Sequence, residues 1–297
     1  MGFFETLKTH IFIEFFYRHD KGVLIEHLKR GKKTLLNEKY GVFDGCEKLA
    51  RQIIDTVSEF DFDEKIIRVR NCNFINSILI IKDSEIDALA GYYTQSDRNE
   101  NGQFDPIIIF INDNEISDKN MLPSIMHELT HAYQDYNLEN KGKNMLTVST
   151  DSNFFENLFS NANDEGLGLI RDCLYYFDLF ERGAFIATIV GDIRNNRKTF
   201  TNIGDICDFL KENEIIKTYT YLFDYIDRLE EITDIKEQRK IFDYVKKYSD
   251  FKFNTYNQMV KILKRRAYNI RRKFNTIIPK IAYDNLNRGA FRPNLKN

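Results

Sequence analysis

The sequence predicts an α+β protein: a small mixed or antiparallel sheet, one helix bearing the word HELTH, and then a mostly helical C-terminal region. Three observations lead there. Four short runs rich in β-branched and aromatic residues fall between 66 and 112. The segment MLPSIMHELTHAYQDYN, 121–137, follows them with apolar residues at helical spacing. Beyond Gly142 helical periodicity continues to about 275. Strands gathered ahead of helices argue for segregated α and β parts rather than alternating βαβ units.

Taking the elements in order, GCEKLARQIIDTVSEF sets Leu49, Ile53, Ile54 and Val57 at helical spacing and predicts a helix over 45–59. IIRVR (66–70), SILIIK (77–82), IDALAGYY (86–93) and PIIIFIN (106–112) read as strands, separated by Asn, Asp, Ser and Gly clusters. In the HELTH helix Asn120 stands at the cap and Pro123 in the first turn, where proline is tolerated. Its apolar surface comes from Leu122, Ile125, Met126, Leu129, Ala132, Tyr133 and Tyr136. Further helices are expected over 153–160, 166–177, 179–194, 204–213, 216–231, 236–248 and 255–274. The expected division is an aromatic-rich N-terminal segment, 1–44, packed on a core of 45–200, followed by a helical region, 201–297, with one continuous domain as the alternative.

At 297 residues the chain can bury a full core without metal or disulfide staples. Its 42% hydrophobic and 30% charged composition is that of a folded protein. A net charge of -2 provides no whole-molecule attraction for nucleic acid or acidic membranes. Cys46, Cys72, Cys173 and Cys207 form no C-x-x-C pair, so neither a cysteine zinc knuckle nor a redox motif is present, and a reducing compartment fits best. Glu5, Lys8, His10 and Glu14 interrupt the apolar N-terminus before a signal-peptide core or membrane span can form. The expected location is therefore cytoplasmic, or the host cytoplasm or virion if the chain is viral. Gly2 with Thr6 matches a myristoylation pattern that arises often by chance. Abundant Phe, Tyr, Ile, Asn and Lys, with 4 Pro and no Trp, suggest an AT-rich bacterial or phage source.

HELTH is the stretch that carries chemistry. Residues four apart lie one turn above each other on a helix, so His127 and His131 can present nitrogens to one ion. Glu128 is rotated aside, where it can act as general base on a water without being a ligand. Zinc with three protein ligands keeps a position open for water and lowers its pKa to about 7. The alternative is coincidence. With 5 histidines in the chain, a chance H-E-x-x-H has a probability on the order of 0.01 before helical context is required.

HELTHAYQDY, together with the strand-rich segment before it, resembles the active-site helix of zincin metallopeptidases, and is most similar to the thermolysin-like branch of the gluzincins. The close similarity spans about ten residues, and the order of elements over 45–195 extends it loosely. The resemblance implies a Zn2+ enzyme in which His127 and His131 bind the metal, Glu128 is the base, and a downstream glutamate is the third ligand. The metzincin extension is absent, since Asn137 stands in its place and no histidine follows His131.

Two glutamates are candidates for that third ligand. Glu165, in NANDEGLGLIRD, matches the Asn-Glu of thermolysin-like enzymes in part, yet flanking glycines place it at a helix start, where a carboxylate often serves the cap. Glu181, in CLYYFDLFERGAFIATI, lies in an apolar helix with Ala184 and Ala187 near it, small residues that let a second helix approach the metal helix. LYYFDLFERGA is also similar to the glutamate helix of uncharacterised bacterial and phage HExxH proteins. Glu181 is the favoured ligand.

Asp135 is expected either to accept a hydrogen bond from a ligand histidine or to be a plain surface residue. IDALAGYY is a candidate edge strand, to which the resemblance implies that an extended peptide is added. An oxyanion-stabilising tyrosine is implied as well, and Tyr92 or Tyr93 is offered for that role. Between Lys246 and Lys273 ten Lys or Arg accompany one acid, Asp250, on an amphipathic helix. That face can meet phosphates, an acidic partner or plain solvent, and no nucleic-acid signature supports the first. The expected function is thus zinc-dependent hydrolysis of a peptide or protein substrate. Its rivals are a catalytically silent zincin-fold interaction or virion-associated protein and a nucleic-acid-associated protein using 246–273.

Overall fold

The computed structural model describes residues 34–290 apart from 71, 73, 87, 95–99, 101–104, 116–118, 140–166 and 202. Its elements are α1 (Thr34–Glu59), β1 (Glu64–Arg68), β2 (Ser77–Lys82), β3 (Ala90–Thr94), β4 (Ile107–Ile111), a 3-10 turn (Asp113–Glu115), α2 (Met121–Glu139), α3 (Gly168–Tyr176), α4 (Leu179–Asn195), α5 (Ile203–Glu212), α6 (Glu214–Arg228), a further 3-10 turn (Leu229–Glu231), α7 (Ile235–Tyr248) and α8 (Tyr256–Ala290). The expected helix over 153–160 and most of the expected segment 1–44 lie outside the described residues. α1 begins earlier than its apolar spacing suggests, because the helix runs through Gly41 and Gly45; a helical glycine costs only about 1 kcal/mol. Among the described residues no helix is long and apolar enough to cross a membrane.

The chain is mixed α+β and divides into two compact units, one formed by 34–139 with 183–198, the other by 167–182 with 199–290. The division falls inside α4. In the first unit the sheet order is β1-β2-β4-β3. β1 runs antiparallel to β2 with Ile66 opposite Leu79, β2 parallel to β4 with Ile80 opposite Ile109, and β3 antiparallel to β4 with Gly91 opposite Phe110. Ile107, Ile108, Ile109 and Ile111 of the interior strand β4 are all buried, which explains why its sequence is a continuous apolar run rather than an alternation. β1 and β3 are the edges among the described strands. Ser77 and Asn76 donate to the Asp105 carboxylate, which ties the approach to β4 to the start of β2 and lowers the pKa of Asp105.

α1 buries Cys46, Leu49, Ala50, Ile53 and Val57, and α2 buries Met121, Leu122, Ile125, Met126, Leu129 and Ala132. The spacing of three and four in each set is what makes these segments helices with one apolar face. Burial pushes the Cys46 thiol up to about 12, against the opposing effect of its hydrogen bond with Thr130 of α2. Phe74 packs edge-on to Tyr133 at 5.3 Å, covering the later turns of α2.

The helical unit is centred on Tyr219 of α6, whose ring meets Phe274 of α8 at 4.6 Å and stacks on Phe177 at 6.4 Å. Its hydroxyl donates to the Tyr176 carbonyl at 2.7 Å, so the one polar atom of this buried ring is satisfied. Asn213 caps α6 by accepting from Ile216 N, and Asp234 caps α7 by accepting from Lys236 N. Met259, Val260, Leu263, Ala267, Ile270 and Phe274 form the buried face of α8.

Candidate metal centre

The site begins with α2, where the first helical hydrogen bonds run from Ser124 N to the Asn120 carbonyl. His127 and His131 are then stacked one turn apart, with ring centroids 4.8 Å apart. His131 is buried at 8% and His127 is half-buried. Their Nε2 atoms face each other at 3.1 Å.

Antiparallel to α2 in its contacts runs α4. Asp178 caps it, accepting from Phe180 N at 2.7 Å and Glu181 N at 3.4 Å. Glu181 therefore stands in the first turn, where a negative charge is favoured by the exposed N–H groups. Farther along, Phe185 packs edge-on to His127 at 5.0 Å and Thr188 reaches the same ring. Gly191 lies where a Cβ would meet Pro123 Cα at 2.9 Å and Met126 Sδ at 3.1 Å. The stripe Gly183, Ala187 and Gly191, four apart, is what lets α4 come this close to α2. Arg194 fixes the end of the helix by donating to Glu47 at 2.9 Å and to Asp44 of α1.

One nitrogen from each of His127 and His131 and one carboxylate oxygen of Glu181, itself 8% exposed, all lie within 4.8 Å of one another. These three residues could hold a metal ion. The hydrogen bonds at the far side of each ring fit that use. His131 Nδ1 lies 3.1 Å from Gln134 Oε1, which can only accept, so this nitrogen carries the proton. His127 Nδ1 lies 3.1 Å from Thr188 Oγ1, whose own proton goes to the Ala184 carbonyl at 3.2 Å, so Nδ1 donates here too. Both Nε2 atoms face one another, where a cation could be shared between them, and Glu181 adds the negative donor that suits a divalent cation.

Gln134 and Thr188 were not picked out by the motif. Both nevertheless carry a sequence signal: Gln134 follows His131 by three residues and Thr188 follows Glu181 by seven, so each shares a helix face with a ligand. Asp135, the residue expected to orient a histidine, is buried at 4%, and the acceptor on His131 Nδ1 is its neighbour Gln134. Glu128 is half-buried on α2. Glu165, the other ligand candidate, lies outside the described residues. The backbone of Tyr92 and Tyr93 lies in edge strand β3, and their side chains lie outside the described residues. Tyr176 and Tyr219 are near enough to Glu181 to feel its charge, and burial, the larger effect, raises the pKa of both hydroxyls.

No family model matches the sequence, and no curated protein or solved structure is detectably similar to it.

Proposed function

We propose that this chain is a zinc-dependent metallopeptidase of zincin type. The observation that carries the reading is the convergence of His127, His131 and Glu181 within 4.8 Å, with Glu128 beside the first ligand on the same helix. Two imidazoles and one carboxylate form a borderline nitrogen and oxygen donor set that suits zinc. When bound, zinc supplies Lewis acidity, lowering the pKa of a coordinated water to about 7 and polarising a carbonyl.

The chain's own residues do the rest. His127 and His131, each with Nδ1 turned to Thr188 or Gln134, offer Nε2 to the ion. Glu128, which follows His127 and is turned by about 100° from it around the helix, serves as general base for the attacking water and then passes that proton to the leaving amine. β3 presents an edge to which an extended peptide can add as a further strand, and Gly91 there carries no side chain to obstruct it. An intact glutamate at 128 argues against a purely structural site, which has no use for a base at that position.

The test is zinc content and hydrolysis of a peptide library by wild type and Glu128→Gln. The expected result is about one zinc per chain in both, with hydrolysis lost in the variant by at least about 100-fold. A wild type that binds no zinc, or a variant that hydrolyses normally, overturns the reading.

A further inference from the structure

β1 is an edge of the sheet, and its pairing with β2 fixes which of its backbone groups face outward. Lys82 N donates to the Asp63 carbonyl at 2.9 Å and Val69 N to the Asn76 carbonyl at 2.8 Å. Antiparallel ladders alternate, so in the register that sets Ile66 opposite Leu79 the odd-numbered residues from Asp63 to Val69 bond to β2. The N–H and C=O groups of Glu64, Ile66 and Arg68 therefore point away from it. The side chains of the same three residues share one face and are exposed, Ile66 at 62%. The other face of β1 carries Ile67, which is buried, and Lys65, whose ammonium lies over the Phe60 ring at 3.4 Å. Among the described residues neither Glu64 nor Arg68 is in an ion pair. Arg68 acts on the Asp105 carboxyl as the weakest of the influences there.

We propose that β1 pairs antiparallel with β1 of a second copy of this chain, about a two-fold axis through Ile66. In that register Ile66 meets the partner's Ile66, Glu64 lies opposite the partner's Arg68, and Arg68 lies opposite the partner's Glu64. Every one of these pairs joins outward N–H and C=O groups to their like, so about six backbone hydrogen bonds form across the axis. On one face, two apolar side chains otherwise left in water cover each other between two pairs of opposite charge.

The charges favour a second copy over an unrelated strand. Charged residues on an edge ordinarily keep other chains away, and residues of one sign would repel a copy of themselves. Here the signs differ and stand equally far from Ile66, so a two-fold axis turns the guard into an attraction. Sliding the register by two residues sets Ile66 against a charge and breaks both Glu–Arg pairs. β1 also carries no proline to deter a further strand, and it pairs with β2 without a bulge. The pairing leaves β3, the opposite edge, to a substrate, and the inference does not rest on the peptidase reading. A pair of five-residue strands buries less than a standard interface, so Kd is expected at roughly 10–100 µM.

The test is sedimentation velocity of the full chain from about 2 to 300 µM. Wild type is expected to pass from monomer to dimer and no further, since a two-fold pairing is closed. Glu64→Arg and Arg68→Glu each set like charges opposite one another and are expected to weaken the dimer by at least about tenfold. Mixed in equal amounts, the two variants regain both opposite-charge pairs and should form a mixed dimer about as tight as wild type. Both altered side chains are exposed, so folding is expected to be unaffected. Hydrogen exchange reads the backbone: the Glu64, Ile66 and Arg68 amides should slow as concentration rises, while those of Lys65 and Ile67 stay protected throughout. A monomer at every concentration, which would leave the edge to a different chain, overturns the proposal. So does assembly beyond a dimer, a dimer indifferent to either charge reversal, a mixture no tighter than its components, or exchange at Ile66 that ignores concentration.

Discussion

Nε2 of His127 and Nε2 of His131 face each other at 3.1 Å, each with its Nδ1 proton already committed to α4 or to the next turn of α2. A cation shared by these two nitrogens and Glu181 would be held by the folded arrangement and not by the unfolded chain. Zinc is therefore expected to raise the thermal midpoint in proportion to the logarithm of its concentration above Kd, and a chelator to reverse the rise. Calorimetry with and without zinc checks this, and an unchanged midpoint would mean that the ion does not prefer the folded state.

Among the described residues, Glu181 brings the carboxylate that joins His127 and His131. Glu181→Ala is expected to weaken zinc affinity by more than about 100-fold, beyond the range typical of residues that only orient ligands. Glu165→Ala should leave it within about threefold of wild type, which competition with a zinc-sensitive dye would resolve.

Gln134 and Thr188 decide which nitrogen of each histidine is bare. Gln134→Leu and Thr188→Val should each lower zinc affinity by about 10- to 100-fold. In the metal-free protein, nitrogen NMR of the imidazoles should show His131 moving to the Nε2-protonated form in Gln134→Leu. A Cβ at Gly183 would collide with the Gln134 amide nitrogen, so Gly183→Ala should shift the same resonance. If His131 keeps its wild-type tautomer in both variants, Gln134 does not set it.

Gly191 and Gly45 are both helical, yet alanine should have opposite effects at the two positions. At Gly191 the new methyl meets the backbone of Pro123, which cannot swing aside, and a loss of about 1–3 kcal/mol is expected. At Gly45 nothing lies within 4 Å, and a gain of about 0.5–1 kcal/mol follows from helix propensity. Urea unfolding of the two variants measures both signs.

Arg194 is 7% exposed and is shared by Asp44 and Glu47, which are themselves 41% and 17% exposed. Arg194→Met should cost about 1–2 kcal/mol, because the acids left behind are partly solvated and can be screened. A loss in Arg194→Met that disappears at high salt would instead assign the effect to charge at the surface.

The sequence by itself determined most of the elements and one wall of the site. HELTH needs only the helical repeat to bring His127 and His131 together, and the apolar periods of α3 to α8 mark those helices to within a few residues over most of their length, because each encodes its own buried face. Ile107 to Ile111 likewise announced a strand buried on both faces. α8 is the exception, reaching Ala290 where the periodicity suggested an end near 274. What only the tertiary structure decided is everything that depends on α4 lying against α2. The approach of that helix places the Glu181 carboxylate near His127 and His131, fifty residues away in sequence, while Glu165, the other candidate, lies outside the described residues. The contacts of Thr188 and Gly183 became legible only there, since a contact between helices leaves no period in either one, and helix spacing alone did not single out Gln134 as the partner of His131. The basic run over 246–273 was legible as charge, but the pairing of Lys264, Arg271 and Arg266 with Glu230, Asp227 and Asp250 was not, because it depends on where the fold sets those acids. Local repeats are written by each segment's own burial, whereas donors, acceptors and charges acquire their meaning from whatever the fold sets opposite them.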